Sequence, residues 1–308
     1  MEIALQFGLL ALGFVMLGKG ADWFVEGAAG IAMRFGIPQL VIGLTIVAMG
    51  TSAPEAAVSI AAAVKGNADI TIGNIVGSNI LNILVILGLA ASIVPIAVAR
   101  STVRIEIPFM IGVTALLFYQ GRDGSISLAD GGVLMVAFAA YMMYLYTMAM
   151  KSNVDSDLEE PGLPLGRCLL GAVGGLALII AGSNVTVGAA TSIATSAGLS
   201  ERFIGLTIVA LGTSLPELFT SVAAARRGNA DIAIGNIVGS NIFNILFVVG
   251  LSSLIIDIPF ASAFNFDTYV ALGAAVLLWL CVLRTQRLQR WAGALMLVCY
   301  AAYLGYIL

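Results

Sequence analysis

Ten runs of apolar residues, each about long enough to cross a lipid bilayer, follow one another along the 308-residue chain. A membrane-spanning helix needs about 20 mainly apolar residues. Apolar residues make up 60% of this chain and charged residues only 10%, whereas a soluble domain has about 25% charged residues. The sequence therefore predicts an all-α integral membrane protein with short connections. The predicted spans are residues 3–33, 38–64, 69–92, 105–120, 127–149, 167–197, 203–225, 231–256, 267–283 and 291–307.

Composition also excludes several classes of function. The chain has no histidine, the commonest metal ligand and general base, so His-based zinc sites and Ser-His-Asp hydrolysis are excluded. Its formal net charge of −3 offers no basic surface to nucleic acid. No cofactor and no obligatory protein partner is indicated, and the expected surroundings are the lipid bilayer. The cysteines are interpreted as small buried hydrophobic residues: Cys168, Cys281 and Cys299.

The distribution of Lys and Arg predicts the orientation in the membrane. One set of connections carries ten of these residues and the other set three, while Lys19 lies inside the first span. Cytoplasmic loops are enriched in Lys and Arg, so we expect both termini outside a plasma (inner) membrane and the acidic linker 151–166 inside the cell. The ten are Arg34, Arg100, Arg104, Lys151, Arg167, Arg226, Arg227, Arg284, Arg287 and Arg290; the three are Lys65, Arg122 and Arg202.

The chain contains an internal repeat with a constant offset of 162 residues. GLTIVAMGTSAPE at 43–55 recurs as GLTIVALGTSLPE, and GNADITIGNIVGSNILNIL at 66–84 recurs as GNADIAIGNIVGSNIFNIL. Residues 43–84 and 205–246 are identical at 32 of 42 positions. Such a repeat indicates that one structural unit is used twice.

Each repeat unit is predicted to hold five spans, at residues 1–150 and 167–308. Five is an odd number, so the second half must enter the membrane the other way up. The sequence therefore predicts ten transmembrane helices as two inverted five-helix repeats. This is the plan of many secondary transporters, in which the substrate site lies at the repeat interface near the bilayer midplane.

Glu55 and Glu217 lie inside predicted spans, where a carboxylate is costly and usually functional. No Lys or Arg lies in the second, third, seventh or eighth spans to pair with either residue. Thr51 and Ser52 precede Glu55 by four and three residues, so the three side chains share one helix face. The second repeat has the same arrangement at Thr213 and Ser214.

Proline and glycine beside these glutamates predict broken helices. Pro54 and Pro216 have no N–H to donate, so the carbonyls of Gly50 and Gly212 four residues earlier are expected to be free. Exposed backbone of this kind is tolerated at membrane depth only inside protein or beside a cavity. The sequence therefore predicts helices that break at an ion site.

The third and eighth spans add further polar groups. Ser78 and Asn82 lie one helical turn apart, as do Ser240 and Asn244. A GxxxG pattern in each span lets helix backbones approach closely. Four more amides either point inward or form hydrogen bonds between helices: Asn74, Asn79, Asn236 and Asn241.

Two carboxylates with hydroxyl, amide and carbonyl oxygens predict an all-oxygen site. Hard cations prefer such sites, and Ca²⁺ takes about 6–8 oxygen ligands. Two carboxylates also balance the charge of one divalent ion. The same oxygens could hold Na⁺ in separate subsites, so both ions are candidate substrates.

GTSAPE with GSNILN, and GTSLPE with GSNIFN, resemble the two alpha repeats of the sodium/calcium exchanger family in the cation/Ca²⁺ antiporter superfamily. The whole chain resembles compact prokaryotic members. The resemblance implies Na⁺-driven Ca²⁺ antiport by alternating access, with the first and sixth spans sliding as the gate. The implied ion ligands are the Ala48 and Ala210 carbonyls and the side chains of Thr51, Ser52, Glu55, Ser78, Asn82, Thr213, Ser214, Glu217, Ser240 and Asn244.

Two positions discriminate among relatives of this superfamily. Its proton/Ca²⁺ exchangers typically carry Asn where this chain has Thr51 and Thr213, which favours Na⁺ here. Potassium-dependent exchangers typically carry Asp at the position of Asn244, although some prokaryotic members do too. Asn244 therefore argues against potassium dependence and leaves two carboxylates in the site.

Three other functions compete with this hypothesis. A proton-coupled antiporter of the same fold would use Glu55 and Glu217 as proton carriers. An intramembrane enzyme would need a nucleophile with a base or an aspartate pair, yet Asp22 is the only Asp well inside a span. A passive channel fits discrete subsites and inverted halves less well than alternating access does.

Overall fold

The computed structural model describes residues 2–66, 68–152, 163–198 and 210–307. Within these ranges the chain is almost entirely helical, as its composition predicts. The helices are α1 (Glu2–Arg34), α2 (Gln39–Thr51), α3 (Ala53–Val64), α4 (Ile70–Ile93), α5 (Thr102–Asp123), α6 (Leu128–Ser152), α7 (Leu165–Ser196), α8 (Ala210–Thr213), α9 (Leu215–Arg226), α10 (Ala230–Ile255), α11 (Ala263–Leu283) and α12 (Arg290–Ile307).

The protein is a multi-pass membrane protein. In the described ranges eight helices are long and apolar enough to cross a membrane, and the bent pair α2–α3 makes a ninth. The predicted seventh span, 203–225, lies partly outside the described residues, which include only α8 and α9 from it. Ten spans in two inverted units therefore remain a prediction, and so do the boundaries of the two halves and of the linker.

The helices break where the sequence predicts, beside the two prolines. Between α2 and α3 the axis bends by 51°, and Ser52 at the break has φ −81° and ψ 7°. Ser214, between α8 and α9, has nearly the same conformation, with φ −88° and ψ 3°. Pro54 and Pro216 lie in the first turns of α3 and α9, where a helix has no use for the missing N–H.

Four wide turns of π-helix interrupt the described helices. They comprise Gly43–Val47 in α2, Thr102–Glu106 in α5, Asn82–Leu87 in α4 and Asn244–Val249 in α10. The last two begin at the asparagines that the sequence singles out, and they lie 162 residues apart. Single π-turns inside α-helices are frequent at functional sites, but no sequence pattern used above predicts them.

Helices α4 and α10 form the centre of the described structure. About 94% of the apolar stretch of α10 and 78% of that of α4 is buried in the protein, compared with 17% for α1. The GxxxG glycines of α10 allow this density. A Cβ added to Gly235 would lie 3.1 Å from the Cα of Gly43, so α10 and α2 meet backbone to backbone.

The two longest helices, α1 and α7, pack antiparallel along their length. Gly13, Gly20 and Gly27 of α1 recur every seven residues and face α7. At Gly20 an added Cβ would lie 2.9 Å from the carbonyl oxygen of Gly175, so only glycine permits this approach. These two helices therefore form one paired unit beside the rest of the molecule.

Four two-residue strands lie in the connections. Ile96–Ala97 pairs antiparallel with Arg287–Leu288, and Ser125–Ile126 pairs with Ile258–Pro259. The repeat offset of 162 residues relates Ile96–Ala97 to Ile258–Pro259 and Ser125–Ile126 to Arg287–Leu288. Each pair is therefore the repeat equivalent of the other pair. Each pair joins one half of the sequence to the other.

Candidate ion-binding site

The two broken helices bring both repeated motifs to one place inside the protein. Glu55 and Glu217 follow the breaks by three residues, and each side chain is about 1% exposed. The Ser52 hydroxyl donates to Glu217 Oε1 at 2.8 Å, and the Ser214 hydroxyl donates to Glu55 Oε1 at 3.3 Å. Each serine therefore contacts the glutamate of the other half.

Asparagines of α4 and α10 link these helices reciprocally beside the glutamates. Asn79 Nδ2 donates to the Asn241 carbonyl, and Asn241 Nδ2 donates to the Asn79 carbonyl, both at 3.2 Å. Asn82 Nδ2 donates to Asn241 Oδ1 at 2.9 Å, and Asn244 Nδ2 donates to Asn79 Oδ1 at 3.1 Å. The N–H₂ groups of Asn82 and Asn244 are thus occupied, which fixes the direction of their Oδ1 atoms.

Four buried oxygens at this place have no hydrogen-bond partner among the described residues. They are Glu55 Oε2, Glu217 Oε2, Asn82 Oδ1 and Asn244 Oδ1. An unsatisfied buried acceptor is costly, and native proteins rarely leave one without a ligand or water. The part of the chain that the structure describes supplies no Lys or Arg to pair with either glutamate. The group therefore has the donor set and the charge of a cation site.

Around the first break, hydroxyl groups contact the backbone and an amide. The Thr51 hydroxyl lies 3.0 Å from Asn236 Oδ1 and 3.3 Å from the Ala48 carbonyl. Ser240 also donates to the Ala48 carbonyl, at 3.4 Å. That carbonyl is therefore surrounded by groups from both halves.

The remaining predicted ligands lie on helices that contribute to this site. Ser78 is 4% exposed on α4, and Thr213 at the end of α8 is partly buried and interacts with Glu55. Ala210 begins α8 directly after residues 199–209, which lie outside the described ranges. Both halves thus contribute the same kinds of side chain to one cluster.

Asn74 and Asn236 form hydrogen bonds between helices, one of the two interpretations open from the sequence. Asn74 Nδ2 donates to Ser59 Oγ at 2.9 Å, and Asn236 Nδ2 donates to Ser221 Oγ at 2.9 Å. Sequence analysis missed Ser59 and Ser221. Each lies four residues after a site glutamate on the same helix face, and that spacing was the available signal.

The expectation of a free carbonyl at Gly212 is wrong. The Ser183 hydroxyl of α7 donates to this carbonyl at 2.7 Å. A polar side chain from another helix thus takes the place of the N–H that Pro216 lacks, as is common for Ser in membrane helices. The same bond ties α7 to the second break.

The comparisons with known proteins agree with this geometry. A family model described as "Sodium/calcium exchanger protein" matches residues 5–147 and 168–308, so it covers most of each half. The sodium/calcium exchanger MaX1 of Methanosarcina acetivorans is 33% identical over 98% of both chains. The inner membrane protein YrbG of Escherichia coli is 40% identical over 82% of this chain and 80% of its own.

The fold is similar to that of a solved exchanger. The sodium-calcium exchanger NCX_Mj, soaked with 2.5 mM Na⁺ and 10 mM Sr²⁺, superposes with a TM-score of 0.86 at 34% identity, covering 98% of this chain and 99% of that chain. Sequence and structure both match over nearly the full length of each protein. The chain therefore belongs to the sodium/calcium exchanger family, whose members are cation/Ca²⁺ antiporters.

Proposed function

We propose that this protein exchanges Ca²⁺ for Na⁺ across the membrane by alternating access. One observation carries the proposal: four buried acceptor oxygens, two of them carboxylate oxygens, converge from both halves without a donor in the described chain. A hard cation is the ligand that this oxygen set fits. The family relationship supports antiport over simple binding.

In this proposal Ca²⁺ draws most of its binding from Glu55 and Glu217, because two negative charges balance one divalent ion. Na⁺ uses the neutral oxygens as well, which a monovalent ion can do without further carboxylates. Since both ions need the glutamates, their occupancies compete. The proposed ligands are the ten side chains named from the resemblance and the carbonyls of Ala48 and Ala210.

The choice of Na⁺ as the driving ion rests on two hydroxyl groups. Thr51 and Thr213 stand where proton-coupled relatives typically carry Asn. Thr51 lies inside the cluster, within 3.3 Å of the Ala48 carbonyl. The alternative is a proton-coupled antiporter of the same fold, in which the glutamates carry protons outward or inward in exchange for Ca²⁺.

Alternating access requires that some helices move relative to the others. We propose that the paired helices α1 and α7 move as one unit against the remainder, because their tight glycine contacts join them to each other. We also propose the orientation derived from Lys and Arg, with both termini outside an inner membrane and the linker 151–166 in the cytoplasm.

Flux measurements on proteoliposomes test the proposal. Vesicles loaded with Na⁺ should take up ⁴⁵Ca²⁺ when diluted into Na⁺-free medium, while vesicles loaded with K⁺ should not. A pH gradient without Na⁺ should drive little uptake. Uptake that follows the pH gradient and ignores Na⁺ would instead establish the proton-coupled alternative.

A further inference from the structure

A buried carboxylate lies outside the central site, on α5. Glu106 is fully buried, and its Oε1 accepts a hydrogen bond from the hydroxyl group of Tyr144 on α6. Its Oε2 has no hydrogen-bond partner in the described ranges. No hydrogen bond described above connects Glu106 to Glu55, Glu217 or their neighbours, so the ion-exchange proposal gives it no role.

Two more buried hydroxyl groups lie near Glu106. Thr102 precedes Glu106 by four residues and interacts with its carboxyl group, and its Oγ1 has no other partner among the described residues. The Tyr141 hydroxyl is also unpartnered, and its side chain is close enough to interact electrostatically with Glu106. The Tyr141 ring stacks between Phe109 of α5 and Tyr144, with centroids 5.3 and 6.5 Å away. The two ring contacts therefore hold Tyr141 beside Tyr144, the residue that donates to Glu106.

A backbone carbonyl group near Glu106, in contrast, is hydrogen-bonded even where a proline removes the usual N–H donor. Residues Thr102–Glu106 form a π-turn, and Pro108 follows it without an N–H to donate. Trp279 of α11 donates its indole N–H to the Val103 carbonyl at 2.9 Å. The unpaired atoms of this cluster are therefore side-chain oxygens, the kind that bind cations.

The groups that face Glu106 leave its charge uncompensated. Tyr141 and Tyr144 come from α6 and Trp279 from α11, while Arg104 on α5 itself is exposed. No Lys or Arg in the described ranges forms an ion pair with Glu106 or acts on it electrostatically. A carboxylate that is buried in a membrane-spanning segment without an ionic partner is expensive and normally marks a functional position.

We propose that Glu106, Thr102, Tyr141 and Tyr144 form a second cation site, which takes one monovalent cation. One carboxylate and three neutral hydroxyl groups match a single positive charge, either a proton on Oε2 or a Na⁺ ion among the oxygens. By the Lys and Arg count, this cluster lies toward the cytoplasmic end of α5 and α6.

The other half of the molecule offers a matched control. The repeat offset relates Tyr141 to Tyr303 and Tyr144 to Tyr306, and the Tyr303 hydroxyl donates to Asp267 Oδ1 at 2.8 Å. This pair also joins an acid to a tyrosine, but Asp267 lies near the start of α11 and is only half-buried. Water can therefore solvate the Asp267 carboxylate, and no bound cation is needed there.

Difference infrared spectroscopy tests the proposal on the whole protein in vesicles. The spectrum of Glu106→Gln is subtracted from that of the wild type in choline buffer, in Na⁺ buffer and across a pH series. A bound proton predicts a carboxylic-acid C=O band that Na⁺ does not change. A bound Na⁺ predicts carboxylate bands that shift on Na⁺ addition, and the two arms thereby identify the ion.

A carboxylate signal that responds to neither pH nor Na⁺ would overturn the proposal. The proposal would also be overturned if the Asp267→Asn difference spectrum showed the same response to pH and Na⁺ as that of Glu106→Gln. The response would then not be specific to the buried acid. If Glu106→Gln fails to fold, Tyr144→Phe retains the carboxylate and removes one hydroxyl. It should move the pH midpoint or the half-saturating Na⁺ concentration about 5- to 10-fold, whereas exposed Tyr119→Phe on α5 should move neither.

Discussion

The two halves of the protein agree at the central site and differ in how the long helices cover it. At the site, Ser52 and Ser214 contact the opposite glutamates, and the asparagine bonds come in reciprocal pairs. Away from the site, α1 packs along α9, whereas its counterpart α7 makes few contacts with α3. Similar sequences therefore adopt similar inner structures and different outer packing.

The exposure of equivalent residues shows the same difference. Val58 of α3 is 44% exposed, while Thr220, its equivalent on α9, is fully buried. Phe14 of α1 contacts Phe219 of α9, with ring centroids 6.1 Å apart. One face of the second half is thus covered by α1, and the matching face of the first half is left open by α7.

An ion-pair cluster accompanies the covered face. Arg227, just after α9, contacts Asp22 at 3.2 Å and Glu26 at 3.1 Å on α1. By the offset of 162, Lys65 is equivalent to Arg227, while Asn184 and Gly188 stand at the positions equivalent to Asp22 and Glu26. The first half therefore has the basic residue without the two acids. Under the proposed alternating access, these ion pairs would stabilise the state in which α1 covers α9.

The largest expected effect tests the equivalence of the two halves at the site. Glu55→Gln and Glu217→Gln should each lower Ca²⁺ transport more than about 100-fold, because each removes half of the negative charge that balances Ca²⁺. Both variants should remain folded, since glutamine keeps the shape. Flux of ⁴⁵Ca²⁺ into proteoliposomes measures the effect, with Asp123→Asn, at an exposed acid outside the site, as the matched control. Near-normal flux in either variant would contradict the assignment.

The second prediction concerns Na⁺ coupling and changes both halves together. Thr51→Ala with Thr213→Ala should weaken Na⁺ competition against bound Ca²⁺ about 5- to 150-fold, since loss of one buried oxygen contact costs about 1–3 kcal/mol. Ca²⁺ binding should fall less, because the glutamates are retained. Displacement of ⁴⁵Ca²⁺ by Na⁺ from purified protein measures both. Superimposable competition curves would show that these hydroxyl groups do not bind Na⁺.

Sequence alone predicted the membrane class, the breaks at the prolines and the meeting of both glutamates, because these follow from hydropathy, from the missing N–H and from the repeat. It left open whether Asn79 and Asn241 point inward, since an amide serves a ligand and a helix contact equally well. The π-turns at Asn82 and Asn244 could not be predicted, because tertiary packing rather than local propensity selects them.

The difference between α1 and α7 lay equally beyond sequence reasoning. Both helices are long and rich in glycine, and nothing in their composition shows which broken helix each one covers. The sequence marks Asp22 only as an acid inside a span, because its ion pair is with Arg227, 205 residues away in the chain. Which broken helix each long helix covers is a property of the folded ensemble, which one sequence pattern cannot specify.

The third prediction tests whether the reciprocal asparagine hydrogen bonds between α4 and α10 contribute equally to ion binding. Asn79→Ala leaves Asn244 without the acceptor for its N–H₂, and Asn241→Ala does the same to Asn82. Each should weaken Ca²⁺ and Na⁺ binding about 2- to 12-fold, the value of one ordinary hydrogen bond. Calorimetric titration of each variant gives both affinities. A loss confined to one variant would show that the halves do not contribute equally to the site.

The smallest effect is expected for the ion pairs on the covered face. Arg227→Gln removes both contacts to α1, and partly exposed pairs contribute about 0.2–1 kcal/mol each. The equilibrium between the two access states should shift up to about fivefold for each pair lost, away from closure over α9. The ratio of the apparent Ca²⁺ KM on the two sides of oriented proteoliposomes measures this shift. An unchanged ratio would mean that the pairs do not bias access.

The reverse experiment transfers the acids to the open face. Asn184 is exposed, and a Cβ at Gly188 would meet nothing within 4 Å in the described structure, so Asn184→Asp with Gly188→Glu is tolerable in the present state. If α7 comes to cover α3 in the other access state, the new acids can pair there with Lys65, and the KM ratio should move in the same direction as in Arg227→Gln. The neutral pair Asn184→Gln with Gly188→Gln controls for side-chain size. A ratio that responds to Arg227→Gln but not to the transferred acids would mean that α7 does not reach α3, and that closure in the first half uses a different helix.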